Sequence, residues 1–165
     1  MFVDSHCHLS SPELVERLPE IRAAMRAAQV DKALCICTTL DEFERVHALA
    51  LADDDLWCSV GVHPDEEDSR EPTVAGLVAL AALPKVVAIG ETGLDYYRIG
   101  ARSVADMAWQ RDRFRVHVRA ARASGKPLVV HTRSASADTI AVLREEQGAA
   151  AGGVFHCFTE TAEVA

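Results

Sequence analysis

Two histidines lie one residue apart near the start of the chain, in the sequence MFVDSHCHL of residues 1–9. In an extended strand, residues i and i+2 share a face, so His6 and His8 project together while Cys7 points away. Two neutral imidazoles placed in this way can bind one metal ion. Alone, a His-x-His pair is a weak indicator, because most such pairs are ordinary polar residues.

Three further potential metal ligands each follow a short apolar run that is typical of a buried strand: Glu91, His131 and His156. Taken singly, each would more often be an ordinary polar strand terminus. Together with the His-x-His pair they make coincidence improbable, and we predict a metal site. Four imidazoles and one carboxylate suit zinc, manganese and similar ions better than calcium, or magnesium alone.

Five ligands exceed the number that one catalytic zinc ion requires, since such a site uses three protein ligands and keeps one position open. We therefore predict two divalent ions with Glu91 bridging them. His6 and His8 would bind one ion. His131 and His156 would bind the other. Two ions about 3.5–4 Å apart activate a shared water and contact both the attacking and the leaving oxygen in phosphoryl transfer.

Each of the other polar residues near these apolar runs has two possible roles. His63, which follows the third apolar run, either contacts substrate or shapes a loop. Arg133 either binds a phosphate oxygen or pairs with an acid. Asp95 and the tyrosines at 96–97 either orient metal ligands or only shape the loop after Glu91.

Short apolar runs alternate with amphipathic, alanine-rich stretches along the whole chain. Six strands are predicted at residues 2–4, 32–37, 57–60, 86–89, 128–130 and 153–155. Five helices are predicted at residues 12–28, 41–52, 74–83, 104–124 and 137–146. Unbroken apolar strands that alternate with helices are typical of a parallel sheet covered by helices. His47 and His117 fall in predicted helices, where we expect no chemical role.

Two architectures fit this alternation: an open doubly wound sheet and a closed TIM (β/α)8-type barrel. The candidate residues follow five different strands, and only a barrel brings so many strand ends around one mouth. We therefore predict a single domain, residues 1–165, with the α/β architecture of a TIM barrel. Such barrels typically have about 200 to 250 residues or more, so the barrel is expected to be incomplete, with about six strands and five to six helices.

The composition of the chain is typical of a globular protein and not of a disordered or membrane-spanning one. Hydrophobic residues make up 49% of the chain, which excludes disorder, and no apolar stretch reaches the roughly 18 residues of a membrane span. No signal-peptide pattern opens the sequence, so a cytoplasmic location is expected. Five cysteines without a metal-binding spacing are expected to be reduced thiols. The net charge of −8 argues against strong nonspecific binding of duplex DNA.

Five segments, in this order, resemble the TatD-type metal-dependent deoxyribonucleases of the amidohydrolase superfamily: FVDSHCHL at 2–9, GVHP at 61–64, IGETGLDYY at 89–97, PLVVHTR at 127–133 and FHCFT at 155–159. The resemblance implies a TIM barrel, two divalent ions (zinc, manganese or magnesium), and hydrolysis of phosphodiester bonds. The substrate would be single-stranded DNA or DNA 3′ ends, and no membrane is involved. It also implies that His63 and Arg133 contact substrate, and that the metal ligands are His6, His8, Glu91, His131 and His156.

The chain departs from this family in two ways. Ser10 stands where the family usually has Asp or Asn, which affects local support of the site. Members also continue for roughly another hundred residues, consistent with the size of such barrels. That part carries a late Glu-Thr-Asp-type motif whose aspartate is a metal ligand and general base, and the 165 residues contain no substitute. Open barrel edges are expected to favour self-association.

Three alternatives for the chain's nature remain at this point: a fragment of a longer gene product, a partner of a second chain that supplies the missing part, or a damaged remnant. Two alternatives for its function also remain. The same site could hydrolyse carboxyl esters or amides, including the aminoacyl ester of a transfer RNA. The 165-residue chain could also be inactive and only bind metal or a partner.

Overall fold

Six strands and six helices alternate along the chain in the computed structural model, which describes residues 1–165. The strands are β1 (Phe2–Cys7), β2 (Val30–Cys35), β3 (Leu56–Val60), β4 (Val86–Asp95), β5 (Leu128–Arg133) and β6 (Gly153–Phe155). The helices are α1 (Pro12–Val15), α2 (Leu18–Ala27), α3 (Phe43–Leu51), α4 (Val74–Ala81), α5 (Ala108–Ser124) and α6 (Ser136–Glu145). Two short 3-10 helices span Ala105–Met107 and Gly148–Ala150.

The strands form one parallel sheet whose spatial order equals their order in the sequence, β1-β2-β3-β4-β5-β6. A doubly wound sheet would reverse its strand order at a switch point, whereas a barrel adds each strand beside the last. β1 pairs only with β2 and β6 only with β5, so the six strands form an open arc. The predicted TIM-type barrel, incomplete in this chain, is confirmed.

Side chains alternate between the two faces of the sheet. In β5, Leu128 and Val130 belong to the large core between sheet and helices. Val129 points the other way and packs with Ile36 and Ala88 in a second, small cluster. The helices therefore cover one face, and the inner face of the arc carries its own apolar layer, as the period-2 pattern of a strand requires.

Several element boundaries differ from the predicted ones: β1, for example, continues to Cys7 and β5 to Arg133, three residues beyond the predicted ends at residues 4 and 130. The predicted helix 12–28 is divided into α1 and α2, because Pro19 occupies the first turn of α2, where a missing N–H is tolerated. β4 continues through Glu91 to Asp95, although Gly90 and Gly93 interrupt its apolar run and ended the predicted strand at residue 89. Glu91 thus lies inside a strand. No helix is both long and apolar enough to cross a membrane.

Candidate metal centre

Two strands and one loop bring imidazoles to a single buried carboxylate, that of Glu91 in β4, which is 3% exposed. His6 of β1 places Nε2 3.1 Å from Oε2 of Glu91. His131 of β5 places Nδ1 3.3 Å from Oε1, and His63, after β3, places Nε2 3.6 Å from the same oxygen. These residues are separated by up to 125 positions in the sequence, and the parallel sheet places them at one end of the strands.

The two remaining predicted ligands lie at the same site. Potential ligand atoms of His6, His8 and Glu91 lie within 4.8 Å of one another, and so do those of His63, Glu91 and His131. The ring of His156 stacks on that of His6, with 3.4 Å between centroids and 11° between planes. All five predicted ligands therefore converge, together with His63. How the imidazoles are divided between two ions stays a prediction.

The nitrogens of His6 test whether these residues fit a metal ion. Both ring nitrogens are buried and neither has a hydrogen-bond partner, because the contact with Glu91 is close but poorly aligned. Buried polar atoms without partners are uncommon in folded proteins. A cation would satisfy a lone pair of His6 and the carboxylate of Glu91 at once. The donor set of imidazoles and one carboxylate fits a divalent transition metal or zinc.

The charge state of Glu91 suits this role. Burial disfavours its ionised form, but the adjacent imidazoles of His131 and His6 outweigh burial and hold the pKa of Glu91 well below its ordinary value. Burial also lowers the pKa of His63, and burial together with the nearby His6 lowers the pKa of His156. At neutral pH the site therefore contains an ionised carboxylate beside the neutral imidazoles of His63 and His156, and an ionised carboxylate with neutral imidazoles is the combination that metal binding needs.

The orientation of His131 is set by a buried carboxylate, that of Asp95 at the end of β4. Nε2 of His131 lies 3.0 Å from Oδ2 of Asp95, so the hydrogen of the neutral ring belongs on Nε2. Burial disfavours the charged ring, but Glu91 and Asp95 outweigh burial and raise the pKa of His131. In the neutral ring the lone pair is on Nδ1, which faces Glu91 and is available to a metal ion.

His63 is held in the opposite tautomer. The backbone N–H of Asp65 donates to its Nδ1 at 3.1 Å, so the ring hydrogen belongs on Nε2 and faces Glu91. The segment before His63 is anchored from α5, where Nε2 of the buried His117 accepts a hydrogen bond from the backbone N–H of Val62 at 3.0 Å. His63 therefore presents a donor to the site, whereas His131 presents an acceptor.

A polar cavity of about 430 Å³ opens over this cluster. It is lined by His8, Thr38, His63, Asp65, Glu66, Glu91, Arg98, His131 and His156. Arg98 was not among the predicted site residues, although its position three residues after the end of β4 was an available signal. Arg133, which was among them, does not line the cavity, and its guanidinium lies 3.7 Å from the ring centroid of Tyr97. An apolar groove of about 400 Å³ beside β6 contains none of the predicted site residues.

Comparisons with known proteins find a matching family model and similar sequences. Residues 3–165 match the family model described as TatD-related DNase. The chain is 41% identical over 167 residues to the uncharacterized metal-dependent hydrolase YcfH of Escherichia coli K12, covering 99% of this chain and 61% of that protein. It is 36% identical over 163 residues to the 3′-5′ ssDNA/RNA exonuclease TatD of Cronobacter turicensis, covering 98% of this chain and 60% of that protein.

The fold is also similar to that of solved structures. The crystal structure of the TatD homologue YjjV from Escherichia coli superposes with a TM-score of 0.85 at 23% identity, over 99% of this chain and 62% of that one. A TatD family hydrolase from Entamoeba histolytica gives a TM-score of 0.83 at 22% identity, over 99% of this chain and 60% of that one. The chain thus spans about three-fifths of the length of the proteins that it matches.

Proposed function

This chain belongs to the TatD-related DNase family, and from that premise we propose that the protein is a divalent-metal-dependent hydrolase of phosphodiester bonds that removes nucleotides from DNA 3′ ends. The observation that carries the proposal is the convergence of His6, His63 and His131 on the buried carboxylate of Glu91. The name of the exonuclease relative supports a nucleic-acid substrate.

Five residues would hold the metal ions: His6, His8, Glu91, His131 and His156. A bound divalent ion would lower the pKa of a water molecule and neutralise charge on the phosphate. Glu91 supplies the negative charge between the imidazoles, and its low pKa keeps it ionised throughout the neutral range. Asp95 keeps the lone pair of His131 directed toward Glu91.

His63 would act on the substrate instead of binding metal. Its Nδ1 is occupied by the backbone N–H of Asp65, so Nε2 carries the hydrogen and cannot also offer a lone pair. From that position Nε2 would donate a hydrogen bond to a phosphate oxygen. This assignment agrees with the prediction that His63 contacts substrate. We assign no substrate contact to Arg133, which was predicted to make one, because its side chain packs on Tyr97 and does not line the cavity.

The test combines cleavage with metal binding. The purified protein is incubated with a 5′-labelled single-stranded oligodeoxynucleotide in Mg²⁺ or Mn²⁺, and we expect stepwise shortening that EDTA stops. In the His6→Ala, His8→Ala double variant, both cleavage and Mn²⁺ binding measured by calorimetry should be lost. His47→Ala is the matched control, since this histidine lies on α3 and contacts the carbonyl of Pro84. Cleavage that survives in the double variant would contradict the proposal.

The same samples distinguish phosphorus from carbon chemistry. Bis-p-nitrophenyl phosphate and p-nitrophenyl acetate release the same chromophore from a phosphodiester and a carboxyl ester. We expect metal-dependent turnover of the phosphodiester to exceed that of the carboxyl ester. If the carboxyl ester is turned over faster, the protein is a carboxyl ester or amide hydrolase instead.

A further inference from the structure

The loop after β4 is tied directly to the candidate metal centre. The carboxylate of Asp95 that contacts Nε2 of His131 through Oδ2 also accepts a hydrogen bond from the backbone N–H of Tyr97 through Oδ1, at 2.8 Å. The backbone N–H of Tyr96 donates to the carbonyl of Arg133 at 2.9 Å. The segment Tyr97–Arg98 therefore has a fixed position relative to the imidazoles that contact Glu91.

Arg98 is the only cationic side chain other than histidine among the nine residues that line the cavity. The same cavity contains the carboxylates of Asp65, Glu66 and Glu91. An anionic substrate would be repelled by these acids, and the net charge of −8 adds to the repulsion. No hydrogen bond or ion pair occupies the guanidinium of Arg98. Its donors are free, and their planar arrangement matches two oxygens of a phosphate.

Tyr97 precedes Arg98 in the chain and lies outside the nine residues that line the cavity, and it offers a second type of contact. Its side chain is 61% exposed although it is aromatic. The guanidinium of Arg133 packs on one face of the ring, 3.7 Å from the centroid, which holds the ring in place. Because Tyr97 is 61% exposed in spite of this contact, part of the ring remains accessible to solvent. A fixed aromatic ring with an accessible surface is the arrangement on which proteins stack the bases of single-stranded nucleic acids.

We propose that Tyr97 and Arg98 form a nucleotide subsite, in which Arg98 binds a backbone phosphate and Tyr97 stacks on the attached base. The subsite rests on the proposed nuclease function and specifies its substrate as a single-stranded nucleotide chain. Stacking on a ring face does not distinguish among bases, so the subsite accepts any base. Arg133 acts as a positioning residue that supports the ring of Tyr97 from behind.

The two contacts can be measured separately by binding without cleavage. Fluorescence anisotropy in EDTA compares a labelled oligothymidylate with an abasic oligomer of the same length. We expect the wild-type protein to bind the oligothymidylate about fivefold more tightly or better, Tyr97→Phe to retain this preference, and Tyr97→Ala to lose it. We expect Arg98→Gln to weaken both oligomers by about tenfold, because a charged hydrogen bond is lost from each.

A second cation–aromatic stack provides the matched control. Trp57 packs against Lys32 and Lys85 near the start of the strands, at the opposite end of the sheet from Glu91. Trp57→Leu should leave both affinities unchanged, and thermal unfolding checks that every variant is folded. The subsite is overturned if the wild type does not distinguish the oligomers, if Tyr97→Ala keeps the preference, or if Arg98→Gln binds the abasic oligomer normally. Absence of cleavage in Mg²⁺ or Mn²⁺ is a separate result, which overturns the proposed nuclease activity.

Discussion

At the scale of single residues, hydrogen bonds outside the cluster decide what each imidazole can do. His131 and His63 both face Glu91, yet Asp95 fixes one ring as an acceptor and the N–H of Asp65 fixes the other as a donor. Mutation of a residue that hydrogen-bonds a metal ligand commonly lowers metal affinity by about 10- to 100-fold. Asp95 is the clearest example in this chain, because its carboxylate is 2% exposed and both oxygens are in use.

Asp95→Asn is therefore expected to weaken metal binding. The amide cannot accept the Nε2 hydrogen of His131 as strongly, so the ring is no longer held in the tautomer that frees Nδ1. A loss of about 10- to 100-fold in Mn²⁺ affinity is expected, measured by calorimetry at neutral pH. Asp106→Asn is the control, since the exposed carboxylate of Asp106 only accepts hydrogen bonds from the backbone N–H and the hydroxyl of Ser103. An unchanged Mn²⁺ affinity in Asp95→Asn would show that His131 does not depend on this contact.

His117 gives the protein a pH-dependent stability. Complete burial, with a smaller effect from Arg113, lowers the pKa of His117 to about 4, against about 6.5 in an unfolded chain. Between these values the unfolded state binds more protons, so the free energy of unfolding falls as the pH is lowered from 6.5 to 4. This residue should contribute a decrease of about 3 kcal/mol over that range.

Urea denaturation of wild type and His117→Gln at pH 7 and pH 4.5 tests this expectation. Glutamine can still accept from the N–H of Val62 and donate to the carbonyl of Arg113, but it does not titrate. The variant should lose less stability than the wild type between the two pH values. Parallel losses in both proteins would exclude His117 as the titrating group.

At the scale of elements, close approach of β4 and β5 brings Glu91 and His131 together. A Cβ placed on Gly93 of β4 would lie 1.9 Å from the carbonyl oxygen of His131, and its φ is +138°. Both the contact and the backbone conformation require glycine. The pairing of Gly93 with His131 therefore sets the separation of the two strands at the level of the site.

Gly93→Ala should destabilise the fold and displace His131. Overpacking of this kind typically costs about 1–3 kcal/mol, and we expect the upper end or more here because the contacted atom is backbone. Gly100→Ala is the control: φ is +64° there but no atom lies within 4 Å, so only about 1–2 kcal/mol of backbone strain is expected. Urea denaturation compares the two variants. Equal losses would mean that β4 and β5 can separate without penalty.

At the scale of the whole molecule, the sheet has two unpaired edges. The outermost strands carry exposed apolar side chains, including Phe2 and Val3 on β1 and Val154 on β6, exposed by 63%, 59% and 57%. Exposed apolar strands with free backbone groups favour pairing with other chains. The described chain thus combines a well-packed helix-covered face with two edges whose backbone groups are unpaired.

We expect these edges to cause self-association that increases with protein concentration. Sedimentation velocity at several concentrations measures it, and a Val3→Lys, Val154→Lys double variant should remain monomeric over a wider range, because lysine at an edge opposes strand pairing. Val104→Lys is the control, since Val104 is 47% exposed but lies outside the sheet. If the double variant associates as strongly as the wild type, the contact between chains does not involve these strand edges.

Much of this molecule follows from local patterns in the sequence. Short apolar runs and amphipathic stretches predict the strands and helices, because burial of one face imposes a period of two or of about 3.6 residues. Polar residues after successive parallel strands predict a barrel with one functional mouth, since such strands end on the same side. The candidate ligands His6, His8, Glu91, His131 and His156 follow from that pattern, and they converge in the structure.

Other features depend on contacts between distant residues, and only the tertiary structure decides them. The hydrogen bond from Val62 to His117 joins positions 55 residues apart, and the tautomer of His131 depends on Asp95, which lies 36 positions away. Arg98 lines the cavity where Arg133 was predicted to lie, because of the way in which the loop after β4 packs against β5. Residue types and spacing therefore determine which metal ligands the strands bring to the mouth of the barrel. The packing of loops and strands determines which atom of each group faces the site, because that choice is made by hydrogen bonds across the fold.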